Sequence, residues 1–222
     1  MTIFSSMKAE NCDTSPILTV PKTGNESAAN SRTFKTMLVF IIPLQSRQVS
    51  RSWAKVCRLF EICVRSACQQ NSSQFRVIVV CHELPEIMFQ NPHLNYIQID
   101  FPIPDITSGT KQEIVNRKNT DKGRKILRGL IAARDFQPTH TMFLDADDCV
   151  SQRLAGFVAQ HSQANGWFIR DGYRYQVSSS CIYKKSRDFH TMCGSSNILR
   201  YDLNRLPTHP EYNRGYGYYK FY

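Results

Sequence analysis

Three carboxylates stand within four residues, Asp145, Asp147 and Asp148, directly after the apolar run at residues 140–144. Negative charges this close together are unfavourable unless positive charge lies among them, and a divalent cation meets that need. If strand geometry continues, Asp145 and Asp147 point to one side and Asp148 turns away. Carboxylate oxygens without accompanying His or Cys favour Mg²⁺ or Mn²⁺ over zinc. The alternative interpretation is a turn that leads into a helix, a role that Asp also fills well.

Strands and helices that alternate along the chain must position this cluster. Continuous apolar runs at residues 36–44, 75–81 and 140–144 predict strands buried on both faces, and residues 94–99 predict a weaker one. Apolar residues three or four apart between residues 50 and 70 predict an amphipathic helix. The pattern predicts an α/β fold with an open, mostly parallel central sheet and helices on both faces. In such sheets ligands bind beyond the carboxyl ends of the strands, where the acidic cluster falls.

Outside these elements the sequence is less regular. Residues 1–35 predict a flexible tail before a single domain at 36–222, and the aromatic end of the chain suggests C-terminal truncation. Ser151 is expected to cap a helix at 152–161. Residues beyond Trp167 are expected to form loops that face the substrate. In the basic segment, an apolar helical stripe predicts that Arg124 and Lys125 point away from the core.

The net charge of +10 comes from 28 Lys and Arg residues against 18 Asp and Glu residues. Residues 111–134 hold eight of the basic and two of the acidic residues, which favours a polyanionic ligand or an acidic surface. No known nucleic-acid-binding motif matches, so no nucleic-acid partner is expected, whereas peripheral contact with an anionic membrane is compatible with the charge. Apolar runs too short for a transmembrane segment, no secretion signal and eight cysteines without CxxC spacing predict a cytoplasmic protein.

The segment 144–148, Leu-Asp-Ala-Asp-Asp, resembles the DxD motif of GT-A-fold glycosyltransferases, most closely those of family 2. A first strand that ends near Pro43, a helix, a second strand and a Lys-Gly-Arg element about twenty residues before the motif also fit, so that the resemblance covers about residues 36–200. It implies a metal-dependent glycosyltransferase, expected to invert the sugar. The donor would be a nucleotide-diphosphate sugar, with a UDP-sugar favoured, and Mn²⁺ or Mg²⁺ would bridge its two phosphates. The acceptor would be a saccharide, a lipid or a protein.

The resemblance also assigns roles to individual residues. Asp147 would be the main metal ligand, Asp145 would contact the ribose or the metal, and Asp148 would assist. The other donor-binding positions lie on loops and in the basic segment: Pro43, Gln45, Arg47, Glu83, Lys122, Gly123 and Arg124. Glu83 stands where the family usually holds the nucleotide base with acidic residues after the second strand.

An inverting transferase needs a base to take the proton of the acceptor hydroxyl. Asp171 and His190 are the candidates for this catalytic role, with Asp188 and Glu211 as further carboxylates. The segment 194–197, Gly-Ser-Ser-Asn, fits either a loop that grips hydroxyl groups or a turn that feeds a core strand. Two other functions stay open. One is a non-catalytic nucleotide- or sugar-binding module, and the other is a sugar nucleotidyltransferase, although residues 43–47 lack the glycines of its phosphate loop.

Overall fold

A computed structural model describes residues 2–6, 36–175 and 181–220. Its strands are β1 (Thr2–Ser6), β2 (Leu38–Pro43), β3 (Phe75–Cys81), β4 (Leu94–Gln98), β5 (His140–Phe143), β6 (Gly166–Phe168), β7 (Asp171–Tyr175), β8 (Ile182–Lys185) and β9 (Asn197–Arg200). Its α-helices are α1 (Trp53–Cys68), α2 (Lys111–Ala133), α3 (Leu154–Gln160), α4 (Phe189–Met192) and α5 (Tyr216–Tyr219). Of the predicted tail, the structure describes only β1, and residues 7–35 lie outside the described residues.

The main sheet has six strands in the order β4-β3-β2-β5-β9-β6. Strands β4, β3, β2 and β5 are parallel, and β9 runs antiparallel to both of its neighbours. A second, antiparallel sheet has the order β1-β7-β8. The chain moves outward from β2 to β4 and then returns to β5 on the other side of β2. The strand order therefore reverses between β2 and β5, and a ligand crevice is expected where their carboxyl ends meet.

Successive side chains of β2 point to opposite faces of the sheet and pack into two separate hydrophobic cores. Leu38, Phe40 and Ile42 are fully buried in the core on one face, which also contains Phe60 of α1 and Val158 of α3. On the other face, residues 39 and 41 pack with the apolar stripe of α2. Helices therefore cover both faces of a mostly parallel sheet, which confirms the predicted fold class. Among the described residues, no helix has the length and apolar character needed to cross a membrane.

The third helix begins later than its sequence predicts. It starts at Leu154, and Ser151 does not cap it: the Ser151 hydroxyl accepts only the N–H of Arg153, at 3.3 Å. The carbonyl of Gln152 accepts the N–H of Asn71 at 2.8 Å, and the Ser151 carbonyl accepts the amide of Gln70. These bonds tie the segment before α3 to the residues that follow α1, and the Ser151 carbonyl also accepts the N–H of Leu154 at 3.4 Å.

The prediction of loops beyond Trp167 is wrong for three segments, which form β7, β8 and β9. Strand β9 inserts between β5 and β6, with Ile198 at 1% exposure in the core. Its amino-terminal end follows directly from the Gly-Ser-Ser-Asn segment, so that segment is a turn that feeds a core strand. Strands of three to five residues are too short to show a clear alternation of apolar and polar residues.

We predict that Gly129→Ala destabilises the protein because α2 packs against β2 at this glycine. An added Cβ would lie 2.5 Å from Cγ2 of Ile41, a fully buried β-branched side chain. Overpacking costs about 1–3 kcal/mol, against at most about 1 kcal/mol gained from the helix propensity of Ala. Urea denaturation should show a lower free energy of unfolding. Gly217→Ala is the control, since nothing lies within 4 Å of its added Cβ. An unchanged stability of Gly129→Ala would contradict this packing.

Candidate functional site

Two clefts meet where the strand order reverses, and both are lined by Pro43 and Gln45. The first, here called the acidic cleft, has a volume of about 240 Å³, and Asp145, Asp147 and two apolar residues of α1 also line it. The second, here called the basic cleft, has a volume of about 180 Å³. Its polar lining comes from α2: Lys118, Asn119, Asp121, Lys122 and Lys125. Carboxylates and lysines thus line adjoining spaces at the carboxyl ends of β2 and β5.

The acidic motif forms a tight turn after β5. The N–H of Asp148 donates to the carbonyl of Asp145 at 2.9 Å. Asp145 and Asp147 both line the acidic cleft, whereas Asp148 turns inward and is only 6% exposed. The motif is therefore a turn, as the alternative interpretation held. It also presents two carboxylates on one side, as the alternation of side chains predicted.

Ser195, in the segment directly before β9, fixes this turn. Its hydroxyl accepts the N–H of Asp145 at 2.8 Å and donates to Oδ2 of Asp148, also at 2.8 Å. The thiol of Cys193 lies 3.3 Å from the same carboxylate oxygen, and the thiol of Cys63 donates to the Asp145 carbonyl at 3.5 Å. Ser195 is fully buried, so it supports the motif and does not grip a ligand hydroxyl. Nothing in the sequence pairs Ser195 with a motif 50 residues away.

The two exposed carboxylates have different electrostatic surroundings. Oδ1 of Asp145 lies 2.5 Å from Nζ of Lys122, which crosses from the basic cleft. Around Asp147, the loss of solvating water and the negative charges of Asp148 and Asp145 raise the pKa of its carboxyl group. Within the described ranges, no group of three His, Cys, Asp or Glu side chains is arranged to hold a metal ion. The available oxygens are those of Asp145 and Asp147, while Asp148 is held inside.

A buried ion pair forms the floor of the basic cleft. Lys125 is 1% exposed, which corrects the prediction that it points away from the core. Its ammonium donates to Oδ2 of Asp121 at 2.6 Å and to the carbonyl of Leu44 at 2.8 Å. His82 lies 3.8 Å from the other oxygen of Asp121, and burial together with the charge of Lys125 lowers the pKa of His82. In the sequence, the spacing of four residues between Asp121 and Lys125 on a predicted helix is the pattern that could have indicated this ion pair.

Two predicted donor-binding residues instead organise the loop after β2. Both oxygens of Glu83 accept hydrogen bonds from this loop, from the Ser46 hydroxyl at 2.8 Å and from the N–H of Arg47 at 3.1 Å. The Arg47 side chain is exposed and lies 3.4 Å from Glu86. Neither Glu83 nor Arg47 lines either cleft. Their positions fit a supporting role for the loop that carries Pro43 and Gln45.

Of the Lys-Gly-Arg element, only Lys122 reaches the clefts. Gly123 faces α5, where an added Cβ would lie 2.4 Å from Cβ of Tyr219. Arg124 lines neither cleft. The glycine allows α2 to pack closely against α5, and it lines neither cleft.

The two predicted catalytic residues, Asp171 and His190, also lie outside the lining of both clefts. Oδ1 of Asp171 accepts the N–H of Arg187 at 3.0 Å. This hydrogen bond, with smaller effects of nearby cations, lowers the pKa of the carboxyl group. The ring of His190 packs on Phe168 with centroids 4.4 Å apart. His190 belongs to α4, which directly precedes the segment that holds the acidic turn.

Comparisons with known sequences find no match: no protein-family model matches the chain, and no curated protein matches it. Among solved structures, a crystal structure of S. aureus TarS 1-349 matches with a TM-score of 0.46 and 16% sequence identity. The match covers 76% of this chain and 48% of the TarS chain, so the protein spans about half the length of that structure. The functional argument therefore rests on the residues that line the two clefts and not on this match.

We predict that Ser195→Ala lowers the free energy of unfolding by about 1–3 kcal/mol, because it removes one hydroxyl that serves both Asp145 and Asp148. Ser196→Ala is the matched control. Its hydroxyl is equally buried but donates to the Cys193 carbonyl within its own loop, at 2.7 Å. Denaturant titration of both variants should show the larger loss for Ser195→Ala. Equal losses would contradict the special role of Ser195.

We predict that Lys125→Met destabilises the protein by about 3–5 kcal/mol, because it leaves the buried Asp121 carboxylate without its cation. The double variant Lys125→Met with Asp121→Asn should lose less free energy of unfolding than Lys125→Met alone, because it contains no buried carboxylate without a cation. A double-mutant cycle in urea measures the coupling. Strictly additive effects of the two substitutions would contradict a direct interaction.

Proposed function

We propose that this protein is a metal-dependent glycosyltransferase that moves a sugar from a nucleotide-diphosphate donor to an acceptor. The observation that carries the proposal is the position of Asp145 and Asp147. Both open into a cleft at the reversal of strand order, next to a second cleft lined by lysines. Such a crevice is where open α/β sheets bind ligands. A nucleotide diphosphate carries the negative charge that the lysines favour, together with phosphate oxygens that a cation can bridge.

The residues at the acidic cleft fit a hard divalent cation. Mg²⁺ is usually held by one or two carboxylates together with substrate phosphates, so it does not need a cage of protein ligands. Asp145 and Asp147 supply two carboxylates. Loss of solvating water raises the pKa of Asp147, and the negative charges of Asp148 and Asp145, which a cation would offset, raise it further. When bound, Mn²⁺ or Mg²⁺ supplies Lewis-acid stabilisation of the charge that develops on the diphosphate leaving group. Asp148 supports the turn from inside.

The basic cleft suits the nucleotide part of the donor. Lys118 and Lys122 offer ammonium groups to phosphates, and the Asn119 amide can both donate to and accept from a base. Pro43 and Gln45, shared by both clefts, would contact the donor where its nucleoside and diphosphate meet. A UDP-sugar remains the donor that the family-2 resemblance favours. The acceptor would be a saccharide, a lipid or a protein, and no nucleic acid is involved.

One observation favours a second candidate, a non-catalytic module that binds nucleotide or sugar. Neither Asp171 nor His190 lines the clefts, so no base candidate from the sequence stands at the site of transfer. The third possibility, a sugar nucleotidyltransferase, is less well supported. Such an enzyme binds phosphate with backbone N–H groups after the first strand. Here the N–H groups of Arg47 and Gln48 are taken by Glu83 and Ser46.

We predict that UDP with Mn²⁺ raises the melting temperature of the wild-type protein and that Asp147→Ala removes most of this stabilisation. Ligands that bind only the native state add about 2.7 kcal/mol at one hundred times Kd. Differential scanning fluorimetry with UDP, GDP and their sugar forms, with and without Mn²⁺, measures the effect. Asp135→Ala is the matched control, because Asp135 is exposed in the turn before β5.

The same panel separates the alternatives. If Asp147→Ala keeps the full Mn²⁺-dependent shift, the assigned metal position is contradicted. If no nucleotide stabilises the wild-type protein at any Mn²⁺ concentration, the whole proposal fails. An assay of UDP released from UDP-sugars, with and without added saccharides, then separates transferase from module. Binding without turnover would favour the module.

A further inference from the structure

The carboxylate of Asp145 already holds a cation, the ammonium group of Lys122. Nζ of Lys122 lies 2.5 Å from Oδ1 of Asp145. The two side chains are 42% and 34% exposed, so solvent reaches the pair. Lys122 lines the basic cleft and Asp145 lines the acidic cleft, which places the ion pair at the boundary between them. While the ion pair is formed, the Lys122 ammonium is not free to bind a ligand in the basic cleft. The paired oxygen of Asp145 is likewise not free to bind one in the acidic cleft.

We propose that Lys122 takes the place of a divalent cation at Asp145 in the ligand-free protein and transfers to the donor phosphates when a nucleoside diphosphate binds. Asp145 is then released to the metal. Metal and nucleotide thus bind cooperatively, and the exchange of one lysine between two anions couples them. The inference rests on the proposed function, since it assigns a regulatory role to a residue of that same site.

Competition at Asp145 follows from charge. A lysine ammonium at 2.5 Å and a divalent cation cannot share one carboxylate oxygen without strong repulsion between the two cations. A metal that binds before the nucleotide must therefore displace Lys122 from Oδ1 or approach Asp145 only through Oδ2, beside the ammonium group. Displacement without a new partner leaves the ammonium with water alone. Displacement towards a diphosphate gives it a charge-assisted hydrogen bond in return.

The exchange is energetically accessible because the pair is exposed. Ion pairs at solvent-exposed positions contribute about 0.2–1 kcal/mol, which corresponds to a factor of about 1.5 to 5 in an equilibrium constant. The flexible stem of lysine allows the ammonium to swing without movement of α2. Gly194 lies beside the pair and carries no side chain. An added Cβ there would lie 3.7 Å from Oδ2 of Asp145 and 3.8 Å from Nζ of Lys122.

The buried lysine of the basic cleft cannot perform this exchange. Lys125 is 1% exposed and holds both the Asp121 carboxylate and the Leu44 carbonyl. Its release would leave a buried carboxylate without a cation, which is strongly unfavourable. The floor of the cleft therefore stays fixed while Lys122 moves above it. The buried Lys125 is therefore a structural cation, whereas the more exposed Lys122 can exchange partners.

The test is a titration of Mn²⁺ followed by EPR, with UDP as the nucleotide probe. It uses the wild-type chain, Lys122→Met and the control Lys118→Met. Lys118 lines the same basic cleft, so its loss removes the same charge but leaves the Lys122–Asp145 pair. In the absence of UDP, Lys122→Met should bind Mn²⁺ about 1.5 to 5 times more tightly than wild type. UDP should tighten Mn²⁺ binding in both proteins, because its phosphates would also contact the metal, but the gain should be about 1.5 to 5 times smaller in Lys122→Met than in wild type.

The coupling must also be reciprocal. Mn²⁺ should change the UDP affinity by the same factor by which UDP changes the Mn²⁺ affinity, and calorimetric titration of UDP checks this. If wild type binds both ligands but Lys122→Met gains no Mn²⁺ affinity, the exchange is overturned while the proposed function stands. The exchange is also overturned if Lys118→Met gains as much Mn²⁺ affinity as Lys122→Met. The gain would then come from the loss of any positive charge near the clefts and not from release of Asp145. If wild type binds neither Mn²⁺ nor UDP, the proposed function itself fails, and this inference with it.

Discussion

The concentration of negative charge at the carboxyl end of β5 is the constraint on which the rest of the site depends. Asp145, Asp147 and Asp148 follow one another at the end of a strand whose preceding residues are almost all buried. The chain compensates each of them differently. The Ser195 hydroxyl and the Cys193 thiol receive Asp148 inside, and Lys122 neutralises Asp145 at the surface. Asp147 lines the acidic cleft, where the loss of solvating water and the negative charges of Asp148 and Asp145 raise the pKa of its carboxyl group.

The lysines of α2 differ in how deeply they are buried. Lys122 and Lys125 are only three residues apart, yet one is 42% exposed on its side chain and the other 1%. The buried pair of Lys125 with Asp121 fixes the carbonyl of Leu44, directly after β2, and thus the start of the loop that both clefts share. Glu83 holds the next turn of the same loop. Rigid polar contacts behind the clefts and one exchangeable contact between them are the arrangement expected of a preorganised binding site.

Much of this fold could be predicted from the sequence because its central strands are buried on both faces. The apolar run of β3 coincides with the observed strand, Phe75–Cys81, and the runs of β2 and β5 are right to within two residues. The position of the acidic motif in the crevice follows from that topology. The burial of Lys125 was not foreseen because an apolar stripe sets the direction of a helix only approximately. The contact of Gly123 with Tyr219 and that of Ser195 with Asp145 join distant segments, and no local pattern encodes them.

The antiparallel direction of β9 explains why Ser195 meets the acidic motif. In the pairing of β5 with β9, His140 lies opposite Arg200 and Met142 lies opposite Ile198. Counted past the carboxyl end of β5, the same register sets Asp145 opposite Ser195, and the Ser195 hydroxyl accepts the N–H of Asp145. A parallel strand in this place would bring its own following loop to the motif instead. The reversal of one strand therefore brings a segment 50 residues along the chain beneath the carboxylates. The site is completed by the part of the chain that the sequence pattern described least well.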